Sequence, residues 1–110
     1  MRFCFTFRPR FSSAVKAAFL DRDGVINVDY AYVHSRENFH FIPGALEGAA
    51  ELVRKGHQLI IVTNQSGIGR GKYSIDQFRE LTFWLAGVFA RNHAPLSAVY
   101  FCPHHPTHAF

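Results

Sequence analysis

Three short apolar stretches alternate with two segments whose hydrophobic positions recur every three or four residues. The apolar stretches cover residues 15–20, 57–63 and 97–102, and the middle one is rich in β-branched side chains, which favour strands. The segments between them, 44–56 and 74–88, have the spacing of amphipathic helices. This order of strand, helix, strand, helix and strand predicts an α/β domain with a parallel sheet.

Local signals place the ends of these elements. Gly56 is a natural stop for the first helix, and Ser74 with Gln77 has the sequence of a capping box at the start of the second. Residues 21–43 form a long loop with room for a small hairpin. Because parallel sheets gather their chemistry at the carboxyl ends of the strands, we expect functional residues just after residues 20 and 62.

The composition is that of one small globular domain. The chain has 110 residues, of which 48% are hydrophobic and 18% charged. No apolar run approaches the ~18 residues of a membrane span, so we expect a soluble protein with no membrane partner. Two cysteines, Cys4 and Cys102, make no disulfide framework, which favours a reducing, cytoplasmic location.

The net charge of +4 is concentrated near the start of the chain. Residues 1–16 contain four basic and no acidic residues, whereas the remainder balances eight Lys and Arg against eight Asp and Glu. We therefore divide the chain into a basic, Phe-rich tail, residues 1–16, that is disordered or extended, and a neutral domain, residues 17–110. A neutral domain gives no reason to expect nucleic acid as a partner.

Two carboxylates follow the first predicted strand. Asp21 and Asp23 are two residues apart and can face one site, while Arg22 between them points elsewhere. With Mg²⁺ to offset their charge, such a pair suits phosphoryl transfer, in which one carboxylate attacks phosphorus and the other moves the leaving-group proton. Gly24 lets the chain turn sharply after the pair.

A turn cap is the alternative for this pair, and for an isolated Asp-x-Asp it would be favoured. Here Thr63 and Asn64 follow the next strand at the matching position. Their hydroxyl and amide groups are suited to bind phosphate oxygens, which favours the chemical interpretation.

The glycine-rich segment 66–72, SGIGRGK, fits neither common nucleotide-binding pattern. Its glycines do not give G-x-G-x-x-G, because Lys72 occupies the last position. It is not a P-loop either, since Ser66 stands where the first glycine is required and Tyr73 follows the lysine.

Three separated motifs, DRDGVINVDYAYVHSRENFHFIPGA, IIVTNQSGIGRGKYS and CPHHP, resemble the haloacid dehalogenase (HAD) superfamily. Within it they are most similar to the D-glycero-D-manno-heptose 1,7-bisphosphate phosphatase family, from about Ala17 to Pro106. The resemblance implies a HAD-like Rossmannoid fold with three α/β/α layers and a parallel sheet. It also implies that this chain corresponds to the N-terminal portion of such a domain and is truncated after the third core strand.

The resemblance assigns roles to individual residues. Asp21 aligns with the nucleophile that forms an aspartyl-phosphate and with a Mg²⁺ ligand. Asp23 aligns with the general acid and base, and its backbone carbonyl aligns with a second Mg²⁺ ligand. Phosphate and substrate binding is implied for two further groups of residues, which are Thr63, Asn64, Gln65 and Ser66 after the second strand and Asp29, Tyr30, Ala31 and Tyr32 in the long loop.

Cys102 and His104 carry the third motif. Alone, a Cys-x-His pair is a weak signal, and a buried cysteine beside loop histidines is the default interpretation. The resemblance implies two of the four ligands of a structural Zn²⁺ site, whose other half would be a Cys-x-Cys pair that this chain does not contain.

The resemblance implies a Mg²⁺-dependent phosphatase that removes the C7 phosphate of a small phosphorylated sugar. The product would feed nucleotide-activated heptose for lipopolysaccharide, and the complete enzyme is expected to be a monomer. Two alternatives stay open. One is a histidinol-phosphate phosphatase, which shares DRDG, TNQ and CPH, and the other is a non-catalytic truncated paralogue whose basic tail binds an anionic partner.

The family's basic Arg-Lys motif and its acidic motif are expected beyond Phe110. Losing one preorganised electrostatic donor typically costs about 10²–10³ in rate, so we expect little activity from this chain. We also expect an exposed apolar edge along residues 15–20, which favours aggregation.

Overall fold

A computed structural model of the protein describes residues 3–7 and 16–104. This part of the chain forms four strands, β1 Cys4–Thr6, β2 Lys16–Leu20, β3 His57–Asn64 and β4 Leu96–Cys102. It also forms three α-helices, α1 Ala45–Arg54, α2 Ser66–Gly69 and α3 Ile75–Arg91. A single 3₁₀ turn lies at Arg36–Asn38 within the long loop.

The strands form one sheet in the order β1-β4-β3-β2. Strands β2, β3 and β4 are parallel, with Leu20 opposite Ile61, and β1 pairs antiparallel with β4. The predicted parallel α/β sheet is confirmed, together with its three strands and two main helices. Strand β1 lies in the predicted basic tail and was not expected as part of the sheet.

Both long helices lie on the same face of the sheet. Each crossover, through α1 and then α3, moves one strand further in the same direction, and right-handed crossovers then place both helices on one side. Side chains from α1, α3 and the sheet share a single core cluster, whose largest fully buried members include Phe78, Phe89, Leu59, Ile61 and Leu85. The described residues thus form two of the three predicted layers.

The starts of the two helices differ in chemistry. Helix α1 follows Gly44, whose left-handed φ of 86° turns the chain from the long loop into the helix. At α3 the Ser74 hydroxyl accepts a hydrogen bond from the Gln77 amide at 3.1 Å, and the Gln77 side chain accepts one from the Ser74 amide at 2.8 Å. The predicted capping box is therefore confirmed.

The opposite face of the sheet exposes large apolar side chains near its carboxyl end. Phe19 is 68% exposed, Val62 49% and Tyr100 44%, and we call these three residues the open face. The strand register places them together, because Phe19 pairs with Ile60, and Val62 pairs with Tyr100.

Among the helices of the described residues, none combines the length and the apolar character that a membrane span requires.

Candidate active site

The carboxyl ends of β2 and β3 bring the predicted motifs together. Asp21 follows β2 directly, and it lines one open cavity with Thr63 and Asn64 at the end of β3. Asp23 lines an adjoining cavity that also includes Asn64 and Ser66. Residues separated by some forty positions in sequence therefore border one continuous site, as the strand order predicted.

The Asp21 carboxylate is exposed at this edge of the sheet. Its Oδ1 atom accepts a hydrogen bond from the backbone N–H of Arg22 at 2.8 Å. This hydrogen bond orients the Asp21 carboxylate and leaves it accessible to a molecule in the cavity. An exposed, oriented carboxylate is the arrangement that a nucleophile requires.

Asp23 is held much more tightly. Its Oδ1 accepts hydrogen bonds from Arg22 Nη2 at 2.9 Å and Nε at 3.2 Å, and from Asn27 Nδ2 at 2.9 Å. Its Oδ2 accepts one bond, from Gln65 Nε2 at 3.2 Å. The carboxylate therefore has a fixed orientation, and Oδ2 keeps capacity for a further proton or hydrogen bond.

Arg22 anchors Asp23 from the core. Its side chain is only 3% exposed, its Nη2 also donates to the Val33 carbonyl oxygen at 2.8 Å, and its guanidinium lies 5.7 Å from the Phe39 ring and 5.9 Å from the Phe78 ring. Arg22 was expected to point elsewhere, and its side chain is buried in the core, but its donation to the Asp23 carboxylate was not expected.

Gln65 connects the two motifs beneath the cavity. Its Nε2 donates to Thr63 Oγ1 at 3.0 Å as well as to Asp23, and its Oε1 accepts a hydrogen bond from the Tyr73 hydroxyl. The Gln65 side chain is buried, so its predicted contact with substrate stays a prediction, while its observed contacts position Thr63 and Asp23.

Tyr73 completes this buried network. Burial raises the pKa of Tyr73 to about 12, with the Arg22 charge opposing the shift and the Asp23 carboxylate adding to it. The hydroxyl therefore stays protonated at neutral pH and donates to Gln65. The ring stacks on His34 with centroids 5.1 Å apart, which ties the network to the long loop.

The loop residues predicted to contact substrate divide into two groups. Asp29, Ala31 and Tyr32 line the cavity with Asp23, whereas Tyr30 lines a neighbouring cavity with Ala31 and Tyr32 and packs against His40 with ring centroids 5.5 Å apart. Ala31 and Tyr32 adopt left-handed φ angles of 63° and 57°, which non-glycine residues rarely do. The Asp29 carboxylate, accepting from the Ala31 amide at 3.0 Å, helps to hold this turn.

Gly67, in the glycine-rich segment 66–72, packs against two aromatic rings. A Cβ atom there would lie 2.8 Å from Tyr32 Cδ1 and would also clash with the ring of Tyr73. The two aromatic rings thus pack directly on the Gly67 backbone. The glycine is required for aromatic packing beside the site, which the sequence patterns did not indicate.

The described residues suit the expected Mg²⁺ better than the expected Zn²⁺. Asp21 and Asp23 offer oxygen ligands at two adjoining cavities that share Asn64, which suits Mg²⁺ because that ion is commonly held by one or two carboxylates plus phosphate and water. The zinc expectation gains no support, since within the described residues no group of three or more His, Cys, Asp and Glu could hold a metal ion, and the expected half site of Cys102 and His104 stays a prediction. Cys102 and His104 are both exposed, and Cys102 lines the cavity that contains Asp21.

The fold matches that of solved HAD-like phosphatase structures over about half of their length. A structure of D,D-heptose 1,7-bisphosphate phosphatase from B. bronchiseptica, in complex with magnesium and phosphate, is 32% identical, with a TM-score of 0.79, over 84% of this chain and 52% of its own. A HAD-like protein from Mesorhizobium loti is 30% identical, with a TM-score of 0.84, over 96% of this chain and 51% of its own.

Sequence relatives identify the family that this domain resembles. The chain is 53% identical over 95 residues to the D-glycero-beta-D-manno-heptose-1,7-bisphosphate 7-phosphatase of Vibrio cholerae, and 50% identical over 95 residues to that of Escherichia coli K12. These matches cover 86% of this chain, and the chain spans about half the length of the curated relatives. No family model matches the sequence. The resemblance predicted from the three motifs is therefore confirmed.

Proposed function

We propose that this site hydrolyses a phosphomonoester, and that its substrate is the C7 phosphate of D-glycero-D-manno-heptose 1,7-bisphosphate. The observation that carries the proposal is the pairing of the accessible Asp21 carboxylate with the immobilised Asp23 carboxylate at one strand end. Two neighbouring carboxylates in such different surroundings are suited to two different roles.

In the first step, a carboxylate oxygen of Asp21 forms a bond to phosphorus while the bond from phosphorus to the sugar oxygen breaks. Asp23 gives a proton to that oxygen, so the sugar leaves as an alcohol and Asp21 becomes an aspartyl-phosphate. In the second step, water attacks the phosphorus and gives a proton to Asp23. Inorganic phosphate leaves, Asp21 is again a free carboxylate, and Asp23 again carries the proton that it gave to the sugar oxygen.

The residues after β3 would hold the phosphoryl group during both steps. Thr63 is fixed by its bond from Gln65, and Asn64 is exposed and borders both cavities. Ser66 lies next to them at the second cavity. Fixed hydroxyl and amide groups stabilise developing charge without having to reorganise.

The long loop would contact the sugar. Asp29, Ala31 and Tyr32 line the cavity, and Tyr30 is assigned to the same contact region by the family resemblance. With a heptose substrate, the reaction would belong to the synthesis of nucleotide-activated heptose for lipopolysaccharide. The location proposed for it is the cytoplasm.

Asp21 and Asp23 are the residues that would hold Mg²⁺, and the ion would supply positive charge to offset the two carboxylates and the phosphate. The occurrence of magnesium with phosphate in one structural neighbour supports this cofactor. The ion would only add positive charge. Asp21 would still supply the attacking oxygen, and Asp23 would still transfer the proton.

The test is phosphate release with Mg²⁺ present, comparing heptose 1,7-bisphosphate with histidinol phosphate. We expect faster release from the heptose, loss of activity with EDTA, and a fall of ~10³-fold or more for Asp21→Asn. Glu47→Gln, an exposed carboxylate on α1, is the matched control and should keep the activity. Release that survives Asp21→Asn would remove Asp21 as nucleophile, and faster release from histidinol phosphate would favour that alternative substrate.

A further inference from the structure

Beneath the candidate active site lies a buried tyrosine that the proposed reaction does not use. The Tyr73 hydroxyl donates a hydrogen bond to Gln65 Oε1, and among the described residues this oxygen is its only acceptor. The Tyr73 ring is held in place by its stack on His34 and by its packing on the Gly67 backbone. The hydroxyl is therefore committed to one atom of the Gln65 amide.

The Gln65 amide has an acceptor end and a donor end, so the bond from Tyr73 decides where the donor end points. With Oε1 bonded to Tyr73, Nε2 donates to Asp23 Oδ2 at 3.2 Å and to Thr63 Oγ1 at 3.0 Å. Turning the amide over would exchange its two ends. The Tyr73 hydroxyl would then lose its acceptor, which is unfavourable for a buried polar group. Tyr73 therefore stabilises one orientation of the Gln65 amide.

This orientation matters most when Asp23 carries the proton that it gives to the sugar oxygen. Oδ1 of Asp23 already accepts two hydrogen bonds from Arg22 and one from Asn27, so the proton must lie on Oδ2. Gln65 Nε2 can donate to the remaining lone pair of Oδ2 and leave the O–H group directed at the substrate. An amide that is turned over would present Oε1, which would accept from this O–H group and draw the proton away from the sugar oxygen.

We propose that Tyr73 is a positioning residue, which acts through Gln65 to keep the Asp23 proton directed at the leaving-group oxygen. This inference rests on the proposed function and adds a residue to its proton transfer. The proton passes from Asp23 Oδ2 to the sugar oxygen as the bond from that oxygen to phosphorus breaks, and Tyr73 keeps its own proton throughout. The contribution of Tyr73 should depend on the leaving group, because only a poor leaving group needs a proton in order to depart.

The test compares Tyr73→Phe with the unsubstituted full chain on two phosphate esters, with Mg²⁺ present. Heptose 1,7-bisphosphate releases an alcohol, which requires the proton, whereas 4-nitrophenyl phosphate releases a stable anion. The readout is the ratio of kcat/KM for the heptose to kcat/KM for the nitrophenyl ester, because a loss of phosphate binding or of folded protein affects both and cancels. General acid catalysis contributes ~10²–10⁴-fold, so a partly misdirected proton should lower this ratio about tenfold.

Gln65→Met tests whether Tyr73 acts through Gln65. Methionine has a similar length and is only a weak acceptor, so this variant should also lower the ratio. Adding Tyr73→Phe to Gln65→Met should lower it no further, since the hydroxyl then has no amide to orient. A further fall in the double variant, or an equal fall for both esters in Tyr73→Phe, would overturn the proposal.

Phe89→Leu is the matched control for a loss of core packing. Phe89 is fully buried in α3, and the helix begins at Ile75, so Phe89 lies ~20 Å along the helix axis from the end beside Tyr73. This variant should lower the stability of the protein and leave the ratio of the two esters unchanged.

A second measurement does not depend on turnover. The side-chain amide protons of Gln65 are observed by NMR in the full chain, with those of the exposed Gln77 as the internal control. Tyr73→Phe should shift the Gln65 amide resonances and speed their exchange with water, while those of Gln77 stay the same. Unchanged Gln65 resonances would overturn the proposal. If the unsubstituted chain releases no phosphate from either ester, the proposed function fails, and shifted Gln65 resonances would still support the orienting role of Tyr73.

Discussion

The guanidinium of Arg22 lies behind the carboxylate of Asp23, with Nη2 at 2.9 Å and Nε at 3.2 Å from Oδ1. The arginine side chain is buried in the core and the aspartate side chain is partly exposed at the cavity, so this ion pair connects the core with the cavity. The charge that supports the proposed acid and base thus comes from inside the domain. Folding and site geometry depend on the same pair.

Replacing Arg22 should therefore destabilise the protein. Arg22→Met removes the donors to Asp23 and to the Val33 carbonyl oxygen, and we expect the free energy of unfolding to fall by about 2–4 kcal/mol in urea denaturation. The same change combined with Asp23→Asn should cost less than the sum of the two single changes, because the charge pair is then absent from both sides. Strict additivity would show that the two residues are not coupled.

Gly67 should not tolerate a methyl group. Gly67→Ala would force the rings of Tyr32 and Tyr73 to move, and we expect a loss of about 1–3 kcal/mol in the free energy of unfolding. Gly48→Ala in α1 is the control, because no atom lies within 4 Å of its Cβ position. There we expect a gain of about 0.5–1 kcal/mol from helix propensity. The prediction fails if both variants have the same stability.

Stability should fall at high pH through Tyr73. Its pKa is raised from 10.0 to about 12 on folding, so the folded state keeps the hydroxyl proton that the unfolded state loses. The contribution is complete below pH 10 and is lost as pH rises to about 12. Urea denaturation of the protein and of Tyr73→Phe across this range should show a steeper decline for the unsubstituted protein. Parallel declines would contradict the assignment.

The open face should promote self-association. Phe19 is the most exposed of its three residues, so Phe19→Lys should reduce the concentration-dependent increase in mass seen by sedimentation. Val25→Lys is the control, since Val25 is a single exposed apolar residue, 48% exposed, in the long loop. An equal effect of both substitutions would indicate general charge repulsion and not a specific surface.

The local sequence predicted those features whose signals are local. The hydroxyl of Ser74 and the amide of Gln77 are three residues apart, so their capping box was evident without a fold. Asp21 and Thr63 were placed at one edge because parallel strands must end together, and the structure puts them in one cavity. The resemblance supplied roles that spacing alone could not, and those roles stay proposals.

The features that were missed depend on contacts between distant segments. Gln65 was expected to extend the substrate contacts, which stays a prediction, but its buried hydrogen bonds with Asp23 and Tyr73 were not expected. Tyr30 was grouped with its neighbours, but it lines the neighbouring cavity and packs on His40, so its contact with substrate stays a prediction. Neither outcome has a periodic pattern that could have indicated it.

The pairing of β1 with β4 has a consequence for the order of folding. Cys4 lies opposite Tyr100, and the Phe3 ring lies 5.7 Å from the Phe101 ring, so nearly the whole chain separates the partners. Each other pair of adjacent strands is consecutive among the strands of the chain and can form with a smaller loss of chain entropy. Strand β1 should therefore join last during refolding, and its amide protons should exchange with solvent before those of β3.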